Sequence, residues 1–224
     1  MSKTRVFPNF WQALLYNYIL PLIIGIPIFV VVILFFYKGI IPRELYKFTS
    51  YFGHIITIPF ILFFLWKSKI KIGWSEFTTV NLKNLLIIIP LAIGVVFMFF
   101  GTMHLFERLF NRNYHSLQTK STYYLSVIHI LVAAPIIEEI LYRRIFLHQF
   151  LRQYSSWVAI VLSTFIFVIP HVPTIVYPEL FIPYFISGLF LGIVYYKTKS
   201  VLLCMISHFI FNAITYLPID SIFK

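Results

Sequence analysis

The sequence predicts an all-α polytopic membrane protein: a bundle of about seven transmembrane helices, within a range of six to eight, around a polar intramembrane cavity. Three observations predict it. The 224 residues are 60% hydrophobic and 11% charged, with mean hydropathy +0.90. A soluble domain of this length lacks the interior to hide that much apolar surface. Long apolar runs alternate with short connections that hold most of the Lys and Arg. Within the later runs a few carboxylates, histidines and amides interrupt the hydrocarbon character.

The elements follow in order. Phe7, Phe10 and Trp11 form an aromatic collar before a first span at about 14–37, bent at Pro21 and Pro27. Lys3 and Arg5 ahead of that run resemble a signal peptide. The run is too long and lacks a small-residue cleavage site, so it reads as an uncleaved span. A short second span at about 51–66 precedes the longest polar loop, 67–84. Its Lys69-Ile70-Lys71-Ile72 alternation suits either a small strand or an interfacial piece. The third span is about 85–106, followed by a polar connection over 107–121. The fourth, about 122–151, exceeds the roughly 20 residues needed to cross, so it tilts or protrudes. The fifth runs over about 156–171 and ends at Pro170 and Pro173. The sixth, about 180–196, carries Ser187-Gly188 and Gly192, small residues that permit close helix contact. The seventh is about 201–217. The chain reads as one membrane domain: N-terminal spans over 1–121, then a helical core over 122–217, with no soluble appendage, internal repeat or low-complexity segment.

With 18 Lys and Arg against 7 Asp and Glu, the formal charge is +11. In this setting the cations belong beside anionic lipid headgroups rather than nucleic acid. Loops sharing a side with the N-terminus hold slightly more of them, a weak bias towards a cytoplasmic N-terminus. Cys204 is the single cysteine, so no intrachain disulfide is possible.

Ala134-Pro135-Ile136-Ile137-Glu138-Glu139-Ile140-Leu141-Tyr142-Arg143-Arg144 is the stretch around which the chain is organised. A charge in hydrocarbon costs roughly 2.5–3.5 kcal/mol on insertion scales, so intramembrane carboxylates are functional candidates. Glu139 and Arg143, four apart in the favourable order, can pair within one helix. Glu138 lacks a local basic partner and is free to face a polar cavity. The competing reading makes all three structural, holding neighbouring helices together.

Two further intrusions follow. His171 closes the fifth span, and His208 and Asn212 stand four apart on one face of the seventh. Each alone reads as a helix–helix hydrogen bond. Together with Glu138 they offer polar groups on three helices that would satisfy one another at a common centre holding water or a metal. His129 falls about 180° from Glu138 on a regular helix and is left outside. His54, His104, His115 and His148 show no partner pattern.

Glu138-Glu139-x-x-x-Arg143, Phe167-x-x-x-His171 and His208-x-x-x-Asn212, in this order, resemble the CPBP family of intramembrane proteases. That family relates the CAAX prenyl endopeptidase to bacterial bacteriocin-processing and immunity proteins, the Abi proteins. The resemblance covers about 122–217. It implies that Glu138 and His171 activate water, that His208 and Asn212 stabilise the oxyanion, and that Glu139 and Arg143 support them. Pro170, directly before His171, departs from the pattern. Two mechanisms remain: a metal-free glutamate base, or zinc held by Glu138, His171 and His208, although no HExxH is present. The implied substrate is a peptide or lipidated protein terminus, and the implied location a multi-pass cell membrane, bacterial by analogy of size. A non-catalytic scaffold or immunity protein, or an ion-coupled transporter, would use the same polar cluster differently.

Overall fold

The computed structural model describes residues 80–112, 127–171 and 177–216, with isolated positions at 11, 12, 15, 58, 59, 62 and 73. The expected first two spans and the Lys69–Ile72 alternation lie outside the described residues. The chain divides into two compact units, Met1–Lys71 and Ile72–Lys224. All of the elements below belong to the second, and all are helical.

Helix α1 is Leu82–Phe110, 29 residues. It is longer at both ends than the apolar run suggests, because polar caps rather than hydropathy set its limits. Asn81 accepts from Lys83 N–H at the start, and Asn111 adopts the left-handed conformation at the end, its N–H returning to Glu107 O. At about 1.5 Å per residue it spans some 43 Å, more than the hydrocarbon thickness. Ile88, Ala92, Val96 and Phe99 form its buried stripe, while Leu86 and Phe97 on other faces are exposed.

Helix α2 (129–150) is continuous but irregular. Its segments are His129–Ala133 with wide π turns, α-helical Ala134–Glu139, a second π stretch Ile140–Leu147, and a last α turn His148–Phe150. Such wide turns are rare and concentrate at functional sites. The turn Leu151–Ser155 leads into α3, Ser156–Val168, which tightens into a 3-10 turn at Ile169–His171. A 3-10 turn Pro178–Leu180 opens α4, Phe181–Thr198, and α5 is Val201–Tyr216.

Helices α3 and α4 pack closely because α4 presents glycine. A Cβ on Gly188 would stand 2.9 Å from Thr164 Cγ2 and 3.0 Å from Phe167 Cδ1, and one on Gly192 3.0 Å from Ile160 Cγ2. The expected role of these small residues is thus met in the structure. Helix α1, grouped in the sequence reading with the first two spans, falls in the second unit and packs against α4 and α5. Phe99 seals that contact, edge-on to Tyr184 at 5.2 Å and to Phe211 at 5.0 Å. The stretch Pro178–Thr198 and α1 are long and apolar enough to cross a membrane; Ser156–His171 and Val201–Thr215 are shorter apolar helices.

Candidate active site

Neighbouring residues on a helix point in different directions, so the two carboxylates of α2 serve different partners. Both are buried, Glu139 completely. Glu138 Oε2 meets His171 Nε2 at 3.1 Å, and His208 Nε2 lies 3.9 Å from the same oxygen. Glu139 turns to the other side. Its Oε2 accepts from Arg143 Nε at 3.0 Å, and its Oε1 accepts from His208 Nδ1–H at 2.9 Å.

Arg143 is fully buried, which would be prohibitive for a lone cation. It is neutralised by Glu139, its Nη1 donates to Ser163 Oγ at 3.4 Å, and its guanidinium lies 4.9 Å from the centre of the Phe167 ring. Such a cation–ring contact is worth ~2 kcal/mol when desolvated. Ser163 in turn donates to Tyr142 O at 2.9 Å. Ser163 is a part of the site that the sequence reading missed, and Phe167 stood in it only as the head of the His171 motif, with no role for its ring. Their four-residue spacing on α3 puts them on one face, but nothing local couples Ser163 to an arginine 20 positions earlier.

His171 owes its place to the tight turn that ends α3. Pro170 has no N–H, the regular helix stops, and His171 Nδ1 donates to Phe167 O at 2.6 Å. The departure noted at Pro170 therefore leaves the imidazole facing Glu138. The phenyl ring of Phe167 lies against it, centroids 4.3 Å apart, and Tyr184 is 6.0 Å away. Hydrogen-bond inventory then fixes a proton count. With Nδ1–H committed to a carbonyl, the Nε2–Oε2 bond needs one proton more. The pair is either imidazolium with carboxylate or imidazole with carboxylic acid.

On α5, His208 Nδ1–H is committed to Glu139, so neutral His208 presents a lone pair at Nε2. Asn212, one turn on, donates from Nδ2 to Ile130 O at 2.9 Å. It therefore flanks the carboxylates rather than bonding to them, and one of its two amide hydrogens is engaged. The structure brings Glu138, His171, His208, Glu139 and Arg143 into one connected network, with Asn212 at its edge. His129 begins the first π stretch, where the regular-helix angle used to exclude it does not apply. His148 Nδ1 contacts Tyr195 Oη at 3.3 Å, and His104 stands 3.7 Å from Glu107. His54 and His115 lie outside the described residues.

Glu138, His171 and His208 are of the right kinds for zinc, and both Nδ1 atoms are held by oxygen acceptors, as ligating histidines usually are. As placed, however, Glu138 and His171 close directly on each other. Among the described residues no group of three or more His, Cys, Asp or Glu side chains is arranged to hold a metal ion.

Residues 120–214 match the model of the Rce1-like family, described as type II CAAX prenyl endopeptidase Rce1-like. No curated protein and no solved structure matches the chain. The matched stretch contains α2 to α5 up to Ile214, including all six side chains of the network.

Proposed function

We propose, from the premise that the segment 120–214 belongs to the Rce1-like family of CAAX prenyl endopeptidases and hence to the CPBP proteases, that this membrane protein hydrolyses a peptide bond near a peptide or lipidated protein terminus. The observation that carries the reading is the 3.1 Å contact between Glu138 and His171 beside the Nε2 of His208, with Glu138 and His208 buried and His171 half-buried in an apolar bundle.

Hydrolysis needs an activated water and a donor for the tetrahedral oxyanion. In its carboxylate form, paired with the His171 imidazolium, Glu138 takes a proton from water as the water oxygen bonds to the scissile carbonyl carbon. The C–N bond then breaks, and Glu138 returns that proton to the leaving amine. His208 donates to the oxyanion from Nε2 in its imidazolium form, the second proton entering from solvent before the substrate and staying on the ring through the cycle, with Glu139 as its counter-charge. The amide of Asn212 has a second N–H to offer. Each oxyanion donor is worth about 3–4 kcal/mol in comparable sites. Arg143 holds Glu139 in place through the 3.0 Å contact of Nε with Oε2.

A zinc-dependent form of the reaction would take Glu138, His171 and His208 as ligands, and the anchoring of both imidazoles at Nδ1 favours it. Bound zinc would supply Lewis acidity. Metal analysis of purified protein distinguishes the two. Cleavage that persists in chelator supports the glutamate base; one zinc per chain, lost in His208→Ala, supports the metal form.

We place the protein in the bacterial cytoplasmic membrane. A scaffold or immunity role is the alternative, and a transporter a weaker one. The experiment is cleavage of a prenylated CAAX peptide by protein reconstituted in vesicles, with Glu138→Gln as control. No cleavage by folded wild type of this or of leader-type peptides would overturn the proteolytic reading.

A further inference from the structure

At the head of α2 the change from wide to α-helical turns and the missing N–H of Pro135 together leave Ile130 O without a helical donor. In the wide turns of His129–Ala133, Ala134 N–H donates to His129 O, five residues back. Ile130 O thereby loses the donor it would have in a regular α-helix. In the wide register its donor would be residue 135, which is proline and has no N–H. A carbonyl deprived of a partner inside a membrane bundle is costly until another group donates. That group is Asn212 Nδ2, at 2.9 Å. One turn earlier on α5, His208 donates to Glu139. Two hydrogen bonds thus fasten α5 to α2 at points that bracket Glu138 in sequence.

We infer that Pro135 is a positioning residue: by withholding an N–H from Ile130 O it recruits the Asn212 amide and fixes its direction beside the carboxylates. Its effect on rate rests on the proposed oxyanion role of Asn212. The effect on main-chain bonding does not.

Pro135→Ala gives Ile130 O an N–H from position 135. The full chain is purified as wild type, Pro135→Ala, Asn212→Ala and the double variant, and each is assayed for reversible unfolding and for cleavage of the prenylated peptide. With Pro135 in place, Asn212→Ala lowers the folded-to-unfolded ratio about threefold, the size of one hydrogen bond between membrane helices. In the Pro135→Ala background the same substitution leaves the ratio unchanged. Pro135→Ala lowers kcat about tenfold at constant KM, and adds nothing when combined with Asn212→Ala. Should Pro135→Ala not fold, Pro135→Ser restores the same N–H. Equal destabilisation by Asn212→Ala in both backgrounds overturns the inference. Coupled stabilities with full kcat in every variant uphold the positioning of Asn212 and sink its oxyanion role instead.

Discussion

A single shared proton joins Glu138 to His171, and this makes Glu138→Gln an informative variant. The Gln amide can donate to His171 Nε2, which keeps the geometry while removing the base. Cleavage is expected to fall 10²- to 10⁴-fold, roughly the contribution of general base catalysis, with the unfolding transition little changed. Retention of most activity would end the proposed role. Arg143→Ala has the opposite profile. It strips Glu139 of its counter-ion in a fully buried position, so about 3–5 kcal/mol of stability is lost, to be read from denaturant unfolding in detergent. The Glu139–Arg143 pair was legible in the sequence because an i,i+4 spacing is a local fact. Ser163, which holds the same guanidinium, was not, because its contact depends on how α2 and α3 pack.

At the scale of the element, the two glycines of α4 set how near α3 can come, and α3 carries Phe167 and His171. Gly188→Ala drives a methyl against Thr164 and the Phe167 ring, and is expected to cost about 1–3 kcal/mol as overpacking. It should also lower kcat, because Phe167 touches both His171 and Arg143. Gly94→Ala on α1 is the control: its Cβ meets nothing within 4 Å among the described residues, and a helical Gly→Ala change there stabilises by about 0.5–1 kcal/mol. Thermal unfolding of both variants checks the contrast. The small residues of α4 could be read from the sequence as sites of close approach. The wide turns of α2 could not. Apolar periodicity assumes 3.6 residues per turn, and inside a uniformly apolar run no polar face exists to reveal a change of pitch.

For the molecule as a whole, the matched stretch 120–214 omits α1, yet Phe99 of α1 seals Tyr184 and Phe211, next to His171 and Asn212. A chain begun at residue 113 is therefore expected to lose its cooperative unfolding transition and its activity. A monodisperse, active product from that truncation would show that the core stands alone. The late helices were legible because their polar residues recur at motif spacing. The affiliation of α1 was not, since an apolar helix can pack on any neighbour and its sequence names none. The unevenly wound α2 has a consequence for inheritance. The wide turns of 129–133 have absorbed surplus chain and can give one residue back by tightening, whereas deleting one from the α-helical stretch 134–137 would swing the acidic pair by about 100° away from both imidazoles. Loss of one residue from the exposed bend at Arg152–Ser155 alters only a connection. Variation in length should thus be tolerated in the wide turns and in the bend and purged directly before the acidic pair, a bias that a scan of single-codon deletions would expose.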